Sequence, residues 1–113
     1  MNIKLILTIS LLLFLPKAFS CENGKIEYFA WAGLKTVPAA MTDPITASDA
    51  KQRDEKGESY YSQSICDSGQ IKSVTKYYSG KVFFHTKYTY QPDGSILVVT
   101  TNAEGKVSKY NAN

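Results

Sequence analysis

Residues 57–110 read GESYYSQSICDSGQIKSVTKYYSGKVFFHTKYTYQPDGSILVVTTNAEGKVSKY. In this stretch, runs rich in Tyr, Val, Ile, Phe and Thr alternate with short turn clusters at 67–69, 79–80, 92–94 and 103–105. The alternation is typical of consecutive β-hairpins. It predicts a mainly β (α+β) fold, an antiparallel β-meander of about five to six strands with one short N-terminal helix.

The helix is expected from Ala47 to about Glu55, because this segment is rich in good helix formers. Thr46 precedes it and can cap the free N–H groups of the first turn, where the charge of Asp49 is also favourable. Gly57 is expected to end it. The helix is short and mostly charged, so we expect it to lie on the surface of the hairpins.

The N-terminal third is expected to cover the hairpins. An aromatic strand is predicted from Lys25 to Ala32, with large apolar residues on both of its faces. The segment from Leu34 to Pro44 is expected to be a loop, because its two prolines disfavour both helix and sheet ladders.

The first twenty residues are predicted to be a secretory signal peptide. A short positive start is followed by an apolar run from Leu5 to Leu15 and by small residues before Cys21. The apolar run is about half of the ~20 residues that a membrane-spanning helix needs. Residues 21–113 would then form a single small β-rich domain in the periplasm or outside the cell.

The two cysteines leave two states open. In an oxidising compartment Cys21 is expected to pair with Cys66, closing a loop whose cross-link is worth ~4 kcal/mol. In the alternative, Cys21 carries a lipid and anchors a bacterial lipoprotein to the membrane, although Ala18 and Phe19 fit the lipidation motif poorly. We favour the disulfide, and membrane attachment is expected only if Cys21 is lipidated.

The charge balance argues against nucleic-acid binding. Of 13 Lys and Arg, two lie in the predicted signal peptide, which leaves 11 basic against 10 acidic residues. Proteins that bind nucleic acid usually carry a strong basic excess. Residues 70–113 nevertheless hold six basic and two acidic side chains. This basic excess either attracts an anionic partner or is balanced within the fold by the acidic side chains of the first half of the chain.

An internal repeat lies in the hairpin region. The residues Gly69, Ile71, Gly80, Lys81 and Val82 recur 25 positions later as Gly94, Ile96, Gly105, Lys106 and Val107. Each unit reads G-x-I-x(8)-G-K-V, in which the glycines supply the positive φ of tight turns. Repeats of this kind indicate stacked supersecondary units.

The run from Tyr88 to Ile96, YTYQPDGSI, resembles the YD repeat of wall-associated and toxin-delivery proteins, with Gln91 in place of its aspartate. The run from Tyr77 to Val82 similarly resembles MORN-type repeats. The segment from Tyr28 to Lys35, with the Pro44-Ile45 step, Arg53 and Tyr60, looks like a small bacterial family of unknown function. These resemblances imply a β-hairpin scaffold used for binding or assembly and no catalytic residue.

The sequence holds little that points to catalysis. It has one histidine, His85, and contains no zinc-, calcium- or phosphate-binding pattern and no nucleophile elbow. We therefore expect no enzyme activity, no metal and no cofactor. A hydrolase that uses His85 with an acidic residue is the least favoured alternative. It stays open because residues of a triad need not be adjacent in sequence.

The aromatic side chains are the better functional candidates. Alternation along the strand 81–90 predicts an inward row of Val82, Phe84, Thr86, Tyr88 and Tyr90, with Phe83, His85, Lys87 and Thr89 opposite. The candidate binding face is therefore Tyr60, Tyr77, Tyr78, Phe83, His85 and Lys87. We expect a small exported bacterial protein that binds a protein or envelope polymer through this aromatic and basic face, with an inhibitor or immunity-type role possible; the alternative is a structural envelope lipoprotein.

Overall fold

The computed structural model describes residues 24–113, so the predicted signal peptide and Cys21 lie outside the described residues. The elements are β1 (Lys25–Gly33), β2 (Ala40–Ile45), α1 (Ala47–Lys56), β3 (Ser59–Ile65), β4 (Ile71–Tyr78), β5 (Lys81–Tyr90), β6 (Ile96–Asn102) and β7 (Val107–Ala112). Within these residues, no helix is long and apolar enough to cross a membrane. All strand pairs are antiparallel in one seven-stranded sheet of order β2-β1-β3-β4-β5-β6-β7.

The mainly β, antiparallel architecture is confirmed, but two details of the prediction are wrong. The sheet has seven strands instead of five to six, and the helix lies mid-chain, between β2 and β3, instead of at the N-terminus. The unexpected strand is β2, in the segment that was expected to be a loop. Its Pro44 is tolerated because β2 is an edge strand, where a missing N–H leaves no ladder bond unmade. The helix α1 then connects β2 to β3, which lies on the other side of β1 in the sheet.

The helix forms where the local sequence predicts it. The Thr46 side chain accepts a hydrogen bond from the Asp49 N–H at 3.0 Å, and the Asp49 carboxylate accepts one from the Thr46 N–H at 3.3 Å. This reciprocal pair is a capping box. Gly57 ends the helix in the left-handed conformation, with φ of 72°.

The predicted turns form, and the 25-residue repeat has a structural counterpart. Gly69 and Gly94, which lie 25 positions apart, occupy the same place in their turns, with φ of 91° and 89°. Each donates its N–H to the carbonyl of the residue three positions earlier, Cys66 or Gln91, at 2.9 and 3.0 Å. A side chain at either position would meet no neighbour within 4 Å, so the positive φ and not crowding explains the glycine.

The two faces of the sheet differ in what covers them. The hairpin face carries Tyr61, Val74, Thr86, Tyr88 and Val98, and the β1–β2 hairpin folds over it and completes the apolar core with Ala32 and Ala39. The helix face carries Tyr60, Ser62, Thr75, His85 and Thr101, and α1 covers it at Tyr60. Each face is covered over only part of its area, because both covering elements are short.

A β-bulge changes the predicted rows of β5. Lys76 pairs with Phe84 and the next residue, Tyr77, pairs with Val82, so Phe83 has no partner in the ladder. The predicted inward row is confirmed from Phe84 onward, but Val82 pairs with a residue of the helix face. Phe83 instead lies on the hairpin face, with its ring centroid 5.1 Å from the Lys76 ammonium.

Candidate binding site

The hairpin face contains a cavity beneath the tip of the β1–β2 hairpin, residues 34–39. We call it the hairpin cavity; its volume is about 510 Å³, which falls in the range typical of ligand pockets. Its walls come from the tip and from β5, β6 and the chain around β7. The lining residues are Leu34, Thr36, Val37, Ala39, Phe83, Phe84, Thr86, Tyr88, Val98, Thr100, Asn102, Ala103, Glu104 and Tyr110.

One hydrogen bond joins the tip to the sheet at the cavity floor. The backbone N–H of Ala39 donates to the Tyr88 hydroxyl at 3.1 Å. Both residues are buried, at 8 % and 7 % exposure. Burial raises the pKa of Tyr88, and the Ala39 hydrogen bond opposes that shift. Because Ala39 also packs in the core cluster with Val98, the bond and the packing hold the tip at one height above the sheet.

Most polar groups of the lining are already hydrogen-bonded within the protein. The hydroxyls of Thr86 and Thr100 lie 2.9 Å apart and bond to each other. The Asn102 side-chain oxygen accepts from the N–H groups of Glu104 and Lys106, at 3.0 and 2.9 Å, within the β6–β7 turn. The surface that the cavity offers to an occupant is therefore chiefly apolar.

The mouth of the cavity is ringed by exposed apolar side chains. Leu34, Phe83 and Tyr110 are each about half-exposed, at 54 %, 50 % and 53 %. The Lys76 ammonium lies 5.1 Å from the Phe83 ring centroid and 5.6 Å from that of Tyr61, which is within the range of cation–π contacts. Around its apolar opening the cavity thus has aromatic side chains, one basic group nearby in Lys76 and one acidic residue in its lining, Glu104.

The six predicted binding residues do not lie on one face. Phe83 and Tyr78 are on the hairpin face, as the register of β4 and the bulge in β5 require. The other four are on the helix face: Tyr60, Tyr77, His85 and Lys87. Tyr60 is buried, and Tyr78 is 56 % exposed. Only Phe83 of the six lines the hairpin cavity.

Tyr60 and Tyr77 belong to an aromatic row under α1. The Tyr60 ring stacks on Tyr77, with centroids 4.7 Å apart, and meets Tyr28 at 6.1 Å. The Tyr60 hydroxyl donates to the Asp54 carboxylate of α1 at 2.9 Å. Burial and then this bond raise the pKa of Tyr60. These contacts give the row a structural role, attaching α1 to the sheet.

His85 and Lys87 line a polar groove on the open part of the helix face, of about 370 Å³. The His85 Nδ1 atom lies 2.8 Å from the Thr75 hydroxyl. Burial and then the charge of Lys87 lower the pKa of His85. Neither Thr75 nor Lys87 is a carboxylate, the group that usually orients a catalytic imidazole. Within residues 24–113, no group of three His, Cys, Asp or Glu side chains is placed to hold a metal ion.

The sequence reading missed the residues that come from the hairpin tip and from β7. Leu34 and Val37 stand in the segment that was expected to be a loop, and Tyr110 was not among the six residues of the predicted binding face. One signal was available: apolar residues in a proline-containing connector must either cover a core edge or remain exposed. No family model matches this chain, and neither a curated protein nor a solved structure is similar to it.

Proposed function

We propose that this chain is an exported, non-catalytic binding protein whose hairpin face binds a partner protein. In this proposal the hairpin cavity takes one large apolar side chain of the partner. The observation that carries the proposal is an apolar cavity whose mouth is ringed by the half-exposed Leu34, Phe83 and Tyr110. Exposed apolar surface of this kind marks interaction sites in soluble proteins.

The chemistry of the lining favours a protein over an envelope polymer. A glycan needs several free hydrogen-bonding groups that converge on its hydroxyls, whereas Thr86, Thr100 and Asn102 bond mainly within the protein. Protein interfaces instead combine an aromatic, apolar centre with Arg or Lys nearby and are dominated by a few buried anchors. Phe83, with Lys76 against its ring, fits the second description.

The position of β1 supports the predicted disulfide as part of the proposal. Lys25 is opposite Ile65, so the described chain begins beside Cys66. The three steps along the chain from Cys21 to Gly24 span up to about 10 Å when extended, a length compatible with a bond between Cys21 and Cys66. The intact mass of the mature protein distinguishes a two-proton deficit, expected for the disulfide, from a diacylglyceryl adduct, which would support the lipoprotein alternative.

An inhibitor or immunity-type role is the specific form of the proposal that best suits a small exported domain. A hydrolase centred on His85 remains the least favoured alternative. It would use the polar groove of the helix face and not the hairpin cavity. Loss of an activity on substitution of His85, with the hairpin face unchanged, would favour that alternative.

Site-specific photo-cross-linking tests the partner proposal. A photoreactive phenylalanine analogue replaces Phe83 in the source cells, and we expect one discrete, protease-sensitive adduct. The matched control places the analogue at Trp31, which is 61 % exposed and is not among the residues that line the cavity. Leu34→Glu should abolish the adduct at position 83, whereas Ile26→Glu, at an exposed position on the helix face, should preserve it.

Equal adducts at positions 83 and 31 would show that the hairpin face has no special role. A protease-resistant adduct that carries carbohydrate would contradict the choice of a protein partner. Folding of each variant is checked by its thermal unfolding, because a loss of binding through unfolding would also abolish the adduct.

A further inference from the structure

Strand β7 is an edge strand whose protection against pairing is a single charged residue, Lys109. Its residues are exposed from Val107 through Asn111. Its pairing with β6 runs from Thr101–Val107 to Ile96–Ala112 without a register shift. It contains no proline and no bulge. Val107 and Tyr110 are half-exposed, at 50 % and 53 %. Natural sheets usually disrupt or cover such edges, because they can accept another strand.

The opposite edge of the same sheet shows what protection looks like. Strand β2 contains Pro44, which has no N–H to donate, and Asp43, whose φ is +60°. In its pairing with β1, Pro44 is opposite Phe29 and Thr42 is opposite Trp31, whereas Asp43 between them is not part of a pair. These features interrupt an edge ladder. One edge of the sheet is therefore blocked, and the other is continuous.

The hydrogen bonds of the β6–β7 turn determine which backbone groups of β7 are free. Asn102 donates its N–H to the Lys106 carbonyl at 2.9 Å, so this pair belongs to the hydrogen-bonded class. Because antiparallel pairs alternate, Ser108, Tyr110 and Ala112 direct their N–H and C=O groups toward β6. The equivalent groups of Val107, Lys109 and Asn111 point to the free edge.

We propose that β7 pairs with β7 of a second copy of this chain, in an antiparallel register centred on Tyr110. In this register Tyr110 is directly opposite its own counterpart, and Lys109 is opposite Asn111 of the second copy. The free groups of Lys109 and Asn111 then form hydrogen-bonded pairs, while the Tyr110 pair is of the closer, non-hydrogen-bonded class. Aromatic pairs across such positions stabilise sheets.

The charge of Lys109 favours the register centred on Tyr110 over the register centred on Lys109 itself. A two-fold axis perpendicular to the sheet requires a residue to oppose itself. Centring the pair on Lys109 would place two ammonium groups directly opposite each other, which is destabilising. Centring it on Tyr110 removes that contact and opposes Lys109 with an uncharged amide. Lys106 lies outside the paired strand.

The dimer would present two hairpin cavities on one surface. The two-fold axis keeps the hairpin faces of both copies on the same side, and Tyr110, which lines the cavity, stands at the axis. One strand pair buries less than the ~1,200 Å² of a typical stable interface. We therefore expect a weak dimer that forms only at high protein concentration. The arrangement would suit a two-fold symmetric or repetitive partner.

Sedimentation equilibrium of Lys109→Pro and Lys109→Ala variants tests the edge. Proline removes an N–H that points away from β6, so it blocks the second strand and leaves the β6–β7 ladder intact. We expect a monomer for Lys109→Pro, and a dimer at least as tight as the wild type for Lys109→Ala, which keeps the N–H. If Lys109→Pro melts early, Asn111→Pro replaces it. A wild type that stays monomeric to about 1 mM, or a dimer that both proline variants retain, would overturn the proposal.

Engineered cysteines test the register. Under mild oxidation Tyr110→Cys should form a covalent dimer at least about tenfold faster than Ser108→Cys, since non-hydrogen-bonded opposite positions are closest. Ser108 is on the same face and is opposite Ala112 in this register. Equal rates would refute the Tyr110-centred register. Both tests need no partner protein, so their outcome is separate from that of the proposed function.

Discussion

Replacing Tyr88 by Phe removes one hydroxyl at the point where the hairpin tip meets the sheet. The ring stays, so its apolar packing with Val98 in the core is preserved. The Ala39 N–H loses its acceptor and, at 8 % exposure, has little access to water. A buried donor left without a partner costs about 1–3 kcal/mol. We expect a loss of about 1–2 kcal/mol in the free energy of unfolding, the lower part of that range, because the tip can move to hydrate the group.

Urea and thermal unfolding measure this loss. For a domain of this size each kcal/mol lowers the melting temperature by about 4–8 °C, so a drop of roughly 4–16 °C is expected. Amide exchange gives a local readout: Ala39 should exchange about tenfold faster for each 1.4 kcal/mol lost. Tyr78→Phe is the control, because Tyr78 is 56 % exposed on the same face.

The two variants should therefore separate clearly. A difference of less than about 0.3 kcal/mol between the free energies of unfolding of Tyr88→Phe and Tyr78→Phe would be no larger than unrelated surface changes produce. If, in addition, the Ala39 amide exchanges as in the wild type, the hydrogen bond between Ala39 and Tyr88 does not hold the tip. The hairpin cavity would then depend on packing alone.

Two further predictions concern the helix and its contact with the sheet. Thr46→Ala should cost about 1 kcal/mol, the usual value of a lost N-cap, whereas Ser48→Ala at an exposed helix position should be near neutral; equal losses by urea unfolding would argue against the capping box. Burial raises the pKa of both Tyr60 and Tyr88 above the usual 10, so the folded state retains their protons longer than the unfolded state. Stability is therefore complete below about pH 10 and falls as the pH rises above it, and the fall should be smaller in Tyr60→Phe; an identical pH profile for that variant would refute the assignment.

Features that depend on neighbours in sequence were predictable. The capping box of Thr46 and Asp49, the stop at Gly57 and the turn at Gly94 are decided within a few residues by backbone hydrogen bonds and by allowed φ values. For the same reason the alternation from Phe84 to Tyr90 correctly predicted one face of β5.

Features that depend on distant partners were not. The bulge that moves Phe83 to the hairpin face exists only where β5 meets β4, and nothing within β5 marks it. Strand β2 forms because β1 offers it an edge, in spite of Pro44. Periodicity cannot detect either event, since both are decided by pairing between segments.

By itself, the sequence determined the class of the fold, the helix with its two ends, the hairpin turns and the alternation within strands, because short-range hydrogen bonding and steric limits decide them. Only the tertiary structure decided which surface can bind. It separated Phe83 and Tyr78 from Tyr60, Tyr77, His85 and Lys87, and it brought Leu34 of the hairpin tip beside Tyr110 of the last strand. A cavity needs walls from segments far apart in the chain, and only the folded packing of those segments brings them together.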